Sequence, residues 1–343
     1  MFKLPLENID ALFARIAEAS ELFAPIKAGK ECNFSKWSPG ARVDLHTLKT
    51  DNSPKDIILP QSEEVYSSRM QGQNIAITAA EHSTNPFIVF GVKACDIKAV
   101  DVLDNIYLKG DFVDEIYKAR RTRACIVSLA CSKPAATCFC AAFGIDAAKP
   151  KGDVSTWLLD GYLYFEAQND KGEEFVGKIE DLLEKADSAP VKELEARIKE
   201  QIDALPFSGL EMDAFKPQDT MKFFNSEKWD ELYKACLGCG ACTYICPTCS
   251  CYDIRDYQTK CGKIQKFRCW DSCMFPEFTL MAHGNNRNSQ KERFRQRFMH
   301  KLMYHNEKFD EMGCVGCGRC VNKCPANLNI IKVIKSLGGV NNV

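Results

Sequence analysis

Apolar residues recur at helical spacing at the start of the chain. Leu12, Phe13, Ile16 and Leu22 fall on one stripe and predict an amphipathic helix over residues 1 to about 25. The pattern then loosens, with Gly40, Asn52, Ser53 and Pro54 as turn signals. Two short apolar runs, DIILP (56–60) and NIAITAA (74–80), are of strand type. The clearest buried strand is PFIVFGVKAC, which ends at Gly91 and Cys95. DIKAVDVLDNIYL after it reads as a helix with Asp96 as N-cap. ACIVSLAC, from Ala124 to Cys131, is a second buried strand, and VSTWLLDGYLYFEAQ is a hairpin turning at Asp160-Gly161.

A charged helical pattern fills 173 to 205, broken at Ser188-Ala189-Pro190. PFSGLEMDAFKPQDT after it is loop-like. The expected fold class is α+β. A mixed α/β N-terminal domain (1–177) is followed by a helical connector (178–221) and a cysteine-rich domain (222–343).

Length and composition fit that plan. The 343 residues suggest two domains, and the apolar and charged fractions, 45% and 27%, are ordinary for a globular chain. A net charge of −1 gives no general pull toward nucleic acid or membranes. No apolar run approaches the ~20 residues of a membrane helix. The N-terminus lacks a basic-then-apolar export signal, so a cytoplasmic protein without direct membrane insertion is expected.

The 19 cysteines change the picture. In such a chain they point to metal or redox chemistry in a reducing compartment, not to a disulfide scaffold. CLGCGACTYICP holds Cys236, Cys239, Cys242 and Cys246-Pro247, and CVGCGRCVNKCP holds Cys314, Cys317, Cys320 and Cys324-Pro325. Both read C-x2-C-x2-C-x3-C-P, the bacterial ferredoxin ligand pattern for a [4Fe–4S] cluster. A cube needs four converging thiolates; a tight Gly-containing loop supplies three, and the fourth comes from the other run. One cluster is therefore expected on Cys236, Cys239, Cys242 and Cys324, and the other on Cys314, Cys317, Cys320 and Cys246. C-x2-C pairs also hold structural zinc, but zinc favours two pairs per site, and each run offers three close cysteines and then Cys-Pro. Residues 252 to 313 form a long insertion between the halves of this ferredoxin-like dicluster domain.

Cys95 and Cys131 each end a predicted buried strand, and Cys138 and Cys140 follow in CSKPAATCFC. Parallel neighbouring strands would bring these four thiols to one sheet edge, enough for a third cluster. Free cysteines at strand ends are also common as small buried hydrophobes, and C-x-C is a poor spacing for most cubes, so the residues alone leave both readings open. Cys249, Cys251 and Cys273, with Cys269, either line the space beside a cluster or form one more site. Cys32, Cys125 and Cys261 stand isolated.

NSQKERFRQRFMHK carries Arg293, Arg295, Arg297 and Lys301, with Phe294 and Phe298 four apart. It reads as a helix with one buried face and one solvated basic face, a candidate docking surface together with the surface near Cys95. His300 and His305 read as surface residues. The stripe is too short, and the chain too neutral, for nucleic-acid binding. No G-x-G-x-x-G and no G-x-x-x-x-G-K-[ST] motif follows a strand, so no flavin, NAD or ATP is expected here. No catalytic residue is expected either.

Several stretches together resemble the iron–sulfur β-subunits of soluble sulfhydrogenases and the A subunit of anaerobic sulfite reductase. Similar subunits accompany heterodisulfide reductases in flavin oxidoreductase modules. The stretches are GVKACDIKAVDVLDNIYL, DEIYKARR, CSKPAATCFCAAFG, CLGCGACTYICPTCSCYD, WDSCMFPEFTLMAHGNNR, RFRQRFMHKLMY and CVGCGRCVNKCP. They span nearly the whole chain in order. The resemblance implies that the segment between the runs is no separate domain, and it favours a third cluster on Cys95, Cys131, Cys138 and Cys140. It leaves Cys269 outside the ligand sets. It also implies a neighbouring ferredoxin-reductase-like flavoprotein that binds FAD and NAD(P)H.

The expected function is electron transfer. Electrons pass from a flavin on a partner, through [4Fe–4S] clusters, to a terminal reductase or hydrogenase. The alternative is a catalytic reductase subunit with its own substrate or flavin site. An iron–sulfur sensor fits less well, because it gains nothing from a second cluster in tunnelling contact.

Overall fold

A computed structural model describes residues 1–47 and 49–338 of the chain; the last residues of the expected dicluster domain, 339–343, lie outside the described residues. The strands are β1 (Phe2–Pro5), β2 (Glu21–Ala28), β3 (Glu31–Lys36), β4 (Ser62–Gln71), β5 (Asn74–Ala79) and β6 (Phe87–Val92). They continue with β7 (Ala124–Leu129), β8 (Val154–Leu159), β9 (Tyr162–Ala167), β10 (Glu184–Lys185), β11 (Tyr252–Gln258) and β12 (Lys263–Trp270).

Eight strands form one mixed sheet in the order β10-β1-β9-β8-β7-β6-β2-β3. Its centre, β2-β6-β7-β8, is parallel and the flanks are antiparallel. Helices cover both faces, which is why β6 and β7 read as unbroken apolar runs. On one face, Ile88, Phe90 and Val127 pack with Leu12, Phe13 and Ile16 of the helix Ile9–Ala19. On the other, Phe87, Val89 and Ile126 pack with Ile97, Val100 and Leu103 of the helix Ala94–Leu108. Phe13 meets Phe90 edge-on, with ring centroids 5.0 Å apart. The β8–β9 hairpin turns through Asp160 and Gly161, at φ 49° and 79°, the paired positive φ of a type I′ turn.

A four-stranded sheet, β11-β12-β4-β5, joins strands far apart in the chain. It pairs the segment between the two cysteine runs with strands of the first 177 residues. A third body of apolar side chains, including Phe215, Trp229, Met274, Phe294, Phe298 and Ile331, surrounds the runs.

Several local expectations are corrected. The predicted helix over 1 to about 25 is β1, then the helix Ile9–Ala19, then β2. Ser20 is extended (φ −148°) and ends the helix, so Leu22 continues the apolar stripe from a strand. DIILP falls partly in the short helix Lys55–Ile58 with Ile58 buried, because so short an apolar run fits either element. The 173–205 pattern divides into the helices Asp170–Gly177 and Ala189–Asp203, with β10 between them pairing with β1. Asp96 is not the N-cap of its helix; Lys93 holds that position, and Asp96 lies buried in the first turn.

Candidate iron–sulfur centres

The first run folds as a loop that turns at Gly238 and Gly240, both with positive φ (67° and 73°), before the one-turn helix Ala241–Tyr244. Cys236, Cys239 and Cys242 line one apolar cavity, and Cys324 of the second run closes it, with Met274, Phe294, Phe298 and Leu328 as walls. The sulfurs accept backbone and amide N–H groups. Gly238 N and Gln290 Nε2 donate to Cys236 Sγ at 3.4 and 3.2 Å, and Leu328 N donates to Cys324 Sγ at 3.2 Å. Such donors suit thiolates. Cys239 is exposed, so this site reaches the surface.

The second run repeats the geometry. Gly316 and Gly318 have φ of 60° and 72°, and a short helix, Arg319–Lys323, follows. Its glycines have a further reason. A Cβ on Gly316 would lie 2.5 Å from the Phe139 carbonyl oxygen, and one on Gly318 only 2.2 Å from that of Thr137. The loop 137–140 therefore lies directly against the run, and Phe139 N donates to the Gly316 carbonyl at 2.9 Å. Cys246 comes to this site through Thr248. Cys246 Sγ lies 3.2 Å from Thr248 Oγ1, which donates at 2.7 Å to the Gly313 carbonyl, next to Cys314. Burial pushes the Cys314 thiol up to about 12, and the charges of Cys246 and Cys317 add to the rise. Burial also raises Cys317 and Cys320, with Cys246 again among their neighbours.

The sheet topology brings the four N-terminal cysteines to one region. β6 and β7 are parallel neighbours, so Cys95 and Cys131 emerge at the same edge. The loop after β7 brings back Cys138 and Cys140. Burial pushes the Cys140 thiol up to about 12, with Cys138 and Cys131 adding to it, and Cys95 is raised by burial, Asp96, Cys317 and Cys140. Cys138 Sγ lies 3.9 Å from the Cys317 carbonyl. These thiols therefore share a wall with the second run.

Arg319, inside the second run, clamps this junction. Its guanidinium grips Asp96 with both ends (Nη2 to Oδ2 2.8 Å) and donates through Nε to the Thr50 carbonyl at 3.1 Å. Nothing in the local spacing of Asp96 signals this pairing across 223 residues.

The extra cysteines separate into two sets. The neighbouring Cys249 thiol, with Lys301 and Arg297, holds Cys246 toward the thiolate while Cys249 itself is pushed up. Cys273 does the same for Cys251, whose thiol falls to about 6. Cys269 stands apart on β12, its sulfur 3.7 Å from the Asp253 carbonyl. Cys32 and Cys125 are buried, and Cys261 is exposed after β11.

The basic stretch is corrected most. The helix Gln290–Met299 is held by a Ser289–Glu292 capping box, and Arg293, Arg297 and Lys301 are buried, while Arg295 stacks on Phe224 at 3.7 Å. It is not a solvated docking face. His305 is buried too, with Nδ1 2.6 Å from the Glu311 carbonyl, and His300 is half-buried.

Residues 235–328 match the family described as a 4Fe-4S dicluster domain. Over 339 residues the chain is 31% identical to sulfhydrogenase 2 subunit beta of Pyrococcus furiosus, covering 97% of this chain and 96% of that one. The chain belongs to this iron–sulfur β-subunit family. It is an electron-transfer subunit of an oxidoreductase complex, built around a 4Fe–4S dicluster domain. No helix among the described residues is long and apolar enough to cross a membrane.

Proposed function

We propose that this β-subunit-type chain relays single electrons through three [4Fe–4S] clusters. They pass between a flavin- and NAD(P)H-binding partner and a terminal reductase or hydrogenase, in the cytoplasm. The first cluster takes Cys236, Cys239, Cys242 and Cys324. The second takes Cys314, Cys317, Cys320 and Cys246, and the third Cys95, Cys131, Cys138 and Cys140. One observation supports the reading above others: three cysteines of the first run and the lone Cys324 of the second line a single apolar cavity. When bound, a cluster supplies reversible one-electron storage at a potential that its surroundings tune. The chain's own residues hold the thiolates, exclude water from the inner sites and donate N–H groups to sulfur.

In this reading Cys239 opens the first site to solvent, and the third site abuts the second through loop 137–140. Such an arrangement suits electrons that enter at one end and leave at the other. A second reading, reduction of a substrate by this subunit itself, has one observation in its favour. A cleft of ≈ 620 Å³, lined by Lys98, Asp101, Lys149, Lys151 and Glu311, has Cys314 in its wall.

Anaerobic iron and acid-labile sulfide analysis tests the relay. About 12 irons per chain are expected, at about four per cube. Zinc in place of iron sinks the reading. The loaded chain accepts electrons from dithionite but oxidises no NADH or NADPH until a flavoprotein is added; turnover of pyridine nucleotide by the chain alone, with a bound flavin, favours the second reading.

A further inference from the structure

Three cations converge on the first cysteine run and the residues just after it. Arg297, Lys301 and Lys55 are 3%, 3% and 4% exposed. Arg297 Nε donates to Cys242 Sγ at 3.1 Å, Nη2 to the Cys242 carbonyl at 2.6 Å and Nη1 to Cys249 Sγ at 3.4 Å. Lys301 Nζ donates to the Thr248 carbonyl at 3.0 Å and to its hydroxyl at 2.7 Å. Lys55 Nζ donates to the Cys249 carbonyl at 3.0 Å and lies 3.6 Å from the Trp270 ring centroid. The acceptors in these bonds are sulfur, carbonyl and hydroxyl groups, and none is a carboxylate.

A buried cation without a counter-ion is strongly disfavoured. Here the charges come from two distant segments, Lys55 before β4 and the other two from the helical stretch between the runs. Gln290, Arg297 and Lys301, at offsets of 7 and 11, fall on one side of that stretch and address Cys236 and Cys242 of the run and Thr248 just after it. The arrangement is a built positive pocket around sulfur.

We propose that Arg297 is a positioning residue that raises the reduction potential of the cluster carried by Cys242. The assignment rests on the cluster reading above. The step concerned is a one-electron reduction: the cluster gains one negative charge from the reductant, and no bond to the chain breaks. A cation and an N–H donor fixed on a ligand sulfur stabilise that added charge, and hydrogen bonds to sulfur and local charge are what set cluster potentials. The electron is thereby favoured on the site whose Cys239 faces solvent.

The experiment is a dithionite titration of the whole loaded chain with redox mediators, followed by electron paramagnetic resonance. Iron and sulfide are counted first. At the wild-type midpoint, Arg297→Met is expected to show a reduced-to-oxidised ratio about tenfold lower, which is 59 mV for one electron. Arg297→Lys keeps the charge but not the fork, and recovers part of the shift. The cluster on Cys314, Cys317 and Cys320 moves less. An unchanged midpoint in Arg297→Met at full iron overturns the proposal. If Arg297→Met loses iron, Arg297→Lys decides, because it keeps a cation there but gives up the fork on Cys242: a lowered midpoint supports the proposal and an unchanged one overturns it. Wild-type protein with no reducible cluster would defeat the relay reading instead.

Discussion

Asp96→Asn removes the charge that faces Arg319. The two side chains are 1% and 2% exposed, and the guanidinium meets both carboxylate oxygens. The amide keeps one acceptor but turns an NH2 group toward a buried cation. Breaking a buried pair from one side costs about 3–5 kcal/mol. Arg319 retains the Thr50 carbonyl and hydroxyl, each at 3.1 Å, so the lower end, about 3 kcal/mol, is expected. At roughly 2 °C per kcal/mol for a chain of this size, the midpoint should fall by about 6 °C. Anaerobic thermal unfolding of the loaded chain, followed by circular dichroism and by cluster absorbance, measures it. Cluster absorbance should be lost with or before the backbone signal, because Arg319 lies between Cys317 and Cys320. The double variant Asp96→Leu/Arg319→Met replaces the pair with apolar side chains, and it should recover more than half of the loss. An Asp96→Asn protein within about 0.5 kcal/mol of wild type would refute the clamp. So would a double variant as unstable as the two single changes added.

Crossed ligation predicts reciprocal losses. Cys324→Ser should abolish the cluster of Cys236, Cys239 and Cys242 and spare the other, and Cys246→Ser should do the reverse; spectroscopy that resolves the two clusters checks both. Gly318→Ala meets backbone at 2.2 Å and should cost about 3 kcal/mol and separate loop 137–140 from the second run. Gly238→Ala has nearly the same φ but meets only the Gln290 side chain at 2.9 Å, and should cost about 1 kcal/mol; thermal unfolding compares them. Burial raises the Cys314 and Cys140 thiols to about 12, so these two thiols are neutral before iron binds and iron must displace their protons. Iron loading should therefore weaken as pH falls, and iron per chain after reconstitution at several pH values reports it.

The local chemistry of the clusters was legible in the chain itself. Ligand spacing within a run is a property of a few consecutive residues, and glycines with positive φ curl both loops as the motif requires. The continuous apolar runs of β6 and β7 marked two buried strands, each ending at a cysteine, and their parallel pairing in the sheet puts Cys95 and Cys131 at one edge. Tertiary structure decided what periodicity leaves open. Apolar spacing tells which residues of 290–301 share a face, but it does not say that the basic face turns inward. That outcome depends on cysteines supplied by other segments, next to which buried cations are tolerable. The pairing of β12 with β4 and of Arg319 with Asp96 is likewise set by contacts across about two hundred residues of chain, where no local pattern reaches.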